Sequence, residues 1–188
     1  IAVTDDGLEW PVRWGDTRVL PRLLDELAEP HLQLLLATLG GWWWPQRDGS
    51  LASCADCGVA SAIAAPAFEH VPLSDAIFGR LVDAAEADSI LNSIGQLHPD
   101  LLMNRLPSAC HELATRQLEL ADQHAICAAS ARQHFVMLAL SLSADFVAHP
   151  SMKKLLEWTR QGGDYFQGVS AALSDDFWRE FDPLMQSA

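Results

Sequence analysis

Basic residues are scarce in this chain. Only 12 Lys and Arg stand against 25 Asp and Glu in 188 residues, a formal net charge of −13 at pH 7. Such a surface repels phosphate backbones and anionic lipid, so neither nucleic acid nor a membrane surface is an expected partner. A basic patch on another protein fits this charge better. Cysteine is also sparse: Cys54, Cys57, Cys110 and Cys127 are the full set. A small disulfide-stapled scaffold would be shorter and denser in cysteine. Free thiols in a reducing, cytoplasmic setting are expected instead. No apolar run approaches the ~20 residues needed to span a bilayer. The opening stretch, Ile1 to Gly7, holds Asp5 and Asp6 and no base, unlike a secretory signal. Position 1 is Ile, so the chain is expected to be a processed or truncated piece of a longer protein. Internal repeats and low-complexity stretches are absent as well.

What is present is enough apolar material for a core. Hydrophobic residues make up 49% and charged residues 20%, which excludes disorder and allows one domain or two small lobes. Leu8, Trp10, Val12 and Trp14 alternate, predicting a strand over 8–14, with Pro11 marking it as an edge or a bulge. Asp16 or Thr17 is placed to cap a helix whose apolar face is Val19, Leu20, Leu23, Leu24 and Leu27. Pro30 opens a second helical run, stopped by Gly40-Gly41. Trp42-Trp43-Trp44 precede an Asp48-Gly49 turn, predicting a hairpin with strands near 41–46 and 50–54. Residues 55–73 lack a clear period and are expected to be a loop or linker.

From Ser74 onward the spacing is helical. Ser74 is expected to cap a helix through Ile77, Phe78, Leu81 and Val82 that continues to Ile94. Pro99 opens a short helix that Pro107 ends. Ser108 and Ser130 are expected to begin the next two helices, and Pro150 the following one, stopped by Gly162-Gly163. Ser174 caps a last helix, ended by Pro183. The fold class is therefore α+β: an incomplete mixed α/β lobe over 1–60, a linker over 61–73 and an all-helical lobe over 74–188.

Catalytic signals are weak. His111-Glu112 begins like a metalloprotease helix, but Thr115 stands where the second histidine is needed. The glycines build no phosphate loop, and nothing points to a Ser–His–Asp set. Cys54-x-x-Cys57 is half of a possible zinc site, completed from Cys110-His111 or from His124 and Cys127; the plainer reading makes these cysteines small core fillers. His111 and His124 are 13 residues apart, roughly 220° around an ideal helix, so one straight helix cannot aim both at one ion. No enzyme activity and no cofactor are expected.

Two sets of residues remain as candidates for recognition. Alternation sets Trp43 opposite to Trp42 and Trp44, so either one tryptophan awaits a partner or both faces are buried. Arg13, Asp16 and Arg18 sit where a strand passes into a helix, and read mainly as an ion-pair cluster that holds the turn.

The stretch V-R-W-G-D-T-R-V-L-P-R-L-L, residues 12–24, resembles the R-x-x-D-x-R-V-L signature of bacterial type VI secretion adaptors, the Tap or Tec chaperones. W-W-W-P-Q-R-D-G at 42–49 is similar to the hairpin that follows in that family. A-L-S-L-S-A-D-F-V-A-H-P at 139–150, followed by Met152–Trp158, resembles its helical part. The resemblance implies a non-enzymatic protein that binds an effector in the cytosol and delivers it to the VgrG spike. It makes Arg13, Asp16 and Arg18 signature positions, expected to hold the lobe's shape. It also implies a further N-terminal portion in family members, so this chain would be a partial or shortened relative. A rival expectation is an acidic immunity or antitoxin protein that neutralises a basic toxin.

Overall fold

The computed structural model describes residues 1–28, 31–32, 42–54, 70–142 and 144–181. The chain is α+β, and its contacts divide it into two units, Ile1–Glu86 and Ala87–Ala188.

The first unit is mixed. β1 (Ala2–Val3) pairs antiparallel with β2 (Glu9–Trp10), with Ala2 opposite Trp10. The intervening turn is closed by the Gly7 amide donating to the Thr4 carbonyl, and Gly7 takes φ +81°, a left-handed conformation that suits glycine. Thr4 is buried, and its hydroxyl donates to Asp6 Oδ1 at 2.6 Å. The strand predicted over 8–14 is thus only two residues long: Pro11 has no amide to continue the ladder. β1 also pairs parallel with Val71–Pro72, so these residues are a strand rather than linker. The rest of the predicted 55–73 connection, and most of the helix predicted from Pro30, lie outside the described residues.

α1 (Leu20–Glu26) buries Leu20, Leu23 and Leu24 as its spacing predicts. α2 (Asp75–Ala84) is capped by Ser74, whose Oγ accepts from the Ile77 amide at 3.2 Å. Ile77 and Leu81 pack against the core made by Ala2, Leu20, Leu23, Leu24, Trp44 and Val71. Arg80 grips Glu26 with two hydrogen bonds of 2.8 and 2.6 Å, tying α2 to α1. The helix at 75–84 therefore belongs with the strands, and the boundary expected near 74 falls after Glu86 instead. The predicted continuous helix also breaks at Ala85, giving a separate α3 (Glu86–Leu97).

The second unit is helical. A 3-10 turn at Pro99–Leu101 leads into α4 (Pro107–Gln123), α5 (Ala129–Ser141), a second 3-10 turn (Ala144–Ala148), α6 (Pro150–Arg160), α7 (Tyr165–Ala172) and α8 (Asp175–Phe181). Pro107 does not end a helix but begins one, because proline suits the first turn and forces Leu106 into an extended conformation. Ser130 is not a cap; α5 starts at Ala129 with no side-chain cap. α4 packs on α5, and α6 on α7. Phe135 meets Phe146 and Tyr165 edge to face at 5.3 and 6.4 Å in the centre of the core.

Two helix ends use the same left-handed motif. After α6, the Gly163 amide donates to the Trp158 carbonyl and that of Gly162 to Thr159, with Gly162 at φ +90°. After α4, Ile126 donates to Ala121 and Ala125 to Asp122, but here the left-handed residue is Ala125 at φ +55°.

Candidate partner-binding face

The Arg13–Asp16–Arg18 cluster closes the turn that delivers the chain into α1. The Asp16 carboxylate accepts from Arg18 three times: backbone amide at 3.1 Å, Nε at 2.9 Å and a terminal nitrogen at 2.7 Å. The Asp16 carbonyl receives the amides of Val19 and Leu20, and the Arg13 carbonyl receives the Asp16 amide. Asp16 is thus not the helix cap that its position suggests. Its carboxylate is drawn to the adjacent guanidinium, which is charged and donates through two nitrogens at once. Hydrogen bonding from the Arg18 side chain, opposed by desolvation and helped further by its amide and charge and by Arg13, holds the Asp16 carboxyl at about 2. With the Asp16 side chain 15% and Arg18 54% exposed, the pair shapes a turn.

The tryptophan run forms β3 (Trp42–Pro45), paired antiparallel with β4 (Leu51–Cys54). Both strands fall within a residue of their predicted ends. The Gln46 amide donates to the Ser50 carbonyl, Asp48 Oδ1 accepts from the Ser50 amide at 2.8 Å, and Gly49 supplies φ +83°. An isolated two-stranded hairpin is marginal in water. This one leans on the core through one face: Trp44 is only 9% exposed, while Trp42, Ala52 and Cys54 pack beside it. Trp42 also meets Trp14 at 5.7 Å between ring centres.

The other face is different. Trp43 is 61% exposed and Leu51 66%, and the register sets Leu51 opposite Pro45, which is also exposed. Trp43, Pro45 and Leu51 share this face because side chains alternate along each strand. Parity alone marks Trp43 in the sequence; Leu51 joins it only once the register is known. Covering a side chain of this size is worth about 1.5–3 kcal/mol, so a partner seated here gains from each. A second aromatic contact, Trp10 on Phe78 at 4.7 Å, was not foreseen from either segment.

The cysteines give no metal centre among the described residues: no group of three or more His, Cys, Asp or Glu converges there. Cys54 is half-buried, Cys110 buried and Cys127 exposed, and none is in a disulfide. Cys57 lies outside the described residues. His124 Nδ1 is 3.1 Å from the Leu156 carbonyl. No helix among the described residues is long and apolar enough to cross a membrane. No family model, curated protein or solved structure matches the chain.

Proposed function

We propose that this chain is a non-catalytic binding module, an adaptor that holds a type VI secretion effector in the cytosol and helps to load it onto the VgrG spike. The observation that carries the binding half is the apolar face of Trp43, Pro45 and Leu51 on a hairpin whose opposite face is packed. Tryptophan at the centre of such a face is the residue type that most often dominates binding energy. The secretion half rests on the sequence resemblance at 12–24 and 42–49. Within it, Arg13, Asp16 and Arg18 hold the turn, and Trp43 is the contact residue. The formal charge of −13 favours a second reading, an immunity protein that meets a basic toxin through complementary charge.

Affinity capture from the native lysate, with the full chain as bait and mass spectrometry as readout, separates the two. Recovery of VgrG together with a large effector is the expected result. Recovery of one small toxin without VgrG overturns the adaptor reading and supports immunity.

A further inference from the structure

The helical unit has an open groove between α6 and α7. On α6 it is lined by Ser151, Lys154, Leu155 and Trp158, which stand at i, i+3, i+4 and i+7 and so form one stripe about 10 Å long. The facing wall is α7, through Gln167, Gly168 and Ala171. The volume is about 440 Å³, within the range of ~300–1,000 Å³ usual for binding pockets.

The walls are fixed by glycine. A Cβ at Gly168 would stand 2.5 Å from Leu155 Cδ1 and 2.9 Å from Trp158 Cδ1, so a side chain there would have to displace the groove's own lining. A Cβ at Gly163 would overlap the Trp158 ring. The indole, 48% exposed, rests in the space that Gly163 leaves, and its Nε1 donates to the Asp164 carbonyl at 3.2 Å. An aromatic wall already held in place costs little to order when a partner arrives.

The charge of the rim decides what that partner is. None of the lining residues is acidic. The one charged lining residue is Lys154, which is exposed; the chain's other lysine, Lys153, is also exposed but lies outside the lining. Neither has an ion-pair partner among the described residues, although the chain carries 25 acids. Glu157, on the same helix, is engaged with Gln161 at 2.7 Å and Arg160 at 3.5 Å.

We propose that this groove docks a short amphipathic helix of a partner protein, one that carries acidic side chains beside its apolar stripe. Two turns of such a helix match the length of the groove. Its apolar residues cover Leu155, Trp158 and Ala171, and a carboxylate meets Lys154. The proposal does not depend on the hairpin face or on the secretion reading.

The test uses the full chain and two labelled peptides of about 14 residues, long enough for a few helical turns. Both carry leucines at 3–4 residue spacing; one has glutamates on the flanks and its twin has lysines there. Fluorescence anisotropy is expected to show binding of the glutamate peptide and not of the lysine twin. Lys154→Glu, at an exposed lining position, is expected to weaken the glutamate peptide about tenfold or more, and Lys153→Glu, outside the lining, to weaken it less. In the amide spectrum, the Trp158 indole resonance, identified by its loss in Trp158→Phe, moves on titration while that of Trp43 does not. Equal or tighter binding of the lysine twin, no binding of the glutamate peptide, or an unmoved Trp158 resonance would overturn the proposal.

Discussion

The two units solve the same problem with different materials. In the helical unit, Phe135, Phe146 and Phe177 are wholly removed from solvent, and Ile94, Met152 and Val136 fill the space among them. Among the described residues of the mixed unit the buried set is smaller, led by Leu20, Leu23 and Val71, and carboxylates secure the chain around it. Asp6 holds the first turn through Thr4, Asp16 the entry to α1 through Arg18, and Asp48 the hairpin turn through Ser50. Asp5 Oδ2 accepts the first amide of α2 at 2.9 Å. One face of its hairpin, with Trp43 and Leu51, is exposed, while the other, with Trp42, Trp44, Ala52 and Cys54, packs on the core.

Breaking the larger core should have the greatest effect. Phe135→Ala removes the ring at the centre of the edge-to-face cluster and is expected to destabilise the helical unit by about 3–5 kcal/mol. Hydrogen exchange would report it as loss of protection in α5 and α6. A change spread equally over β1, β2 and α1 would show that the units do not unfold separately, and would break the comparison.

The Asp16 turn should matter less and depend on pH. A folded pKa of about 2 lies below the ordinary 3.8, so the stabilisation is complete above about pH 4 and is lost as pH falls toward 2. Because Arg18 is 54% exposed, solvent screening limits the effect to about 1 kcal/mol. Asp16→Asn is expected to cost that amount at pH 7 in urea unfolding of the first unit. It should also flatten that unit's loss of stability between pH 4 and 2. An unchanged acid profile would show that the turn is held by its backbone bonds alone.

The smallest effect is a gain. Ala125 and Gly162 occupy equivalent positions in the same helix-ending motif, yet only one is glycine. Ala125→Gly relieves the left-handed strain and is expected to stabilise the helical unit by about 0.5–1 kcal/mol, measured as a rise in its urea midpoint. A loss of stability would mean that the Ala125 methyl packs for more than its backbone costs.

Much of the helical unit was legible in the sequence, because its rules are local. Apolar spacing located α4, α5 and α6, and Pro150 and Gly162-Gly163 marked the ends of α6. The caps are less legible. A serine is a weak guide where a proline, as at 107, already fixes the start, or where the helix begins one residue earlier, as at Ala129. The mixed unit hid its organisation in long-range pairing. Val71–Pro72 joins Ala2–Val3 across some seventy residues, and no local period announces it. The hairpin was the exception: Asp48-Gly49 marked its turn and the alternation of Trp42, Trp43 and Trp44 showed which side chains share a face, though not which face is buried. Leu51, the neighbour that makes Trp43 part of a patch, needed the register.

The central claim is that Trp43 binds a protein partner and does not support the fold. Its direct test is quantitative capture from the native lysate with the full chain and with Trp43→Ala, after urea unfolding has compared the two. The account predicts a stability change within about 0.5 kcal/mol, as for an exposed side chain, and a fall in partner recovery of about tenfold or more. Undiminished recovery by Trp43→Ala, with the fold intact, would contradict it.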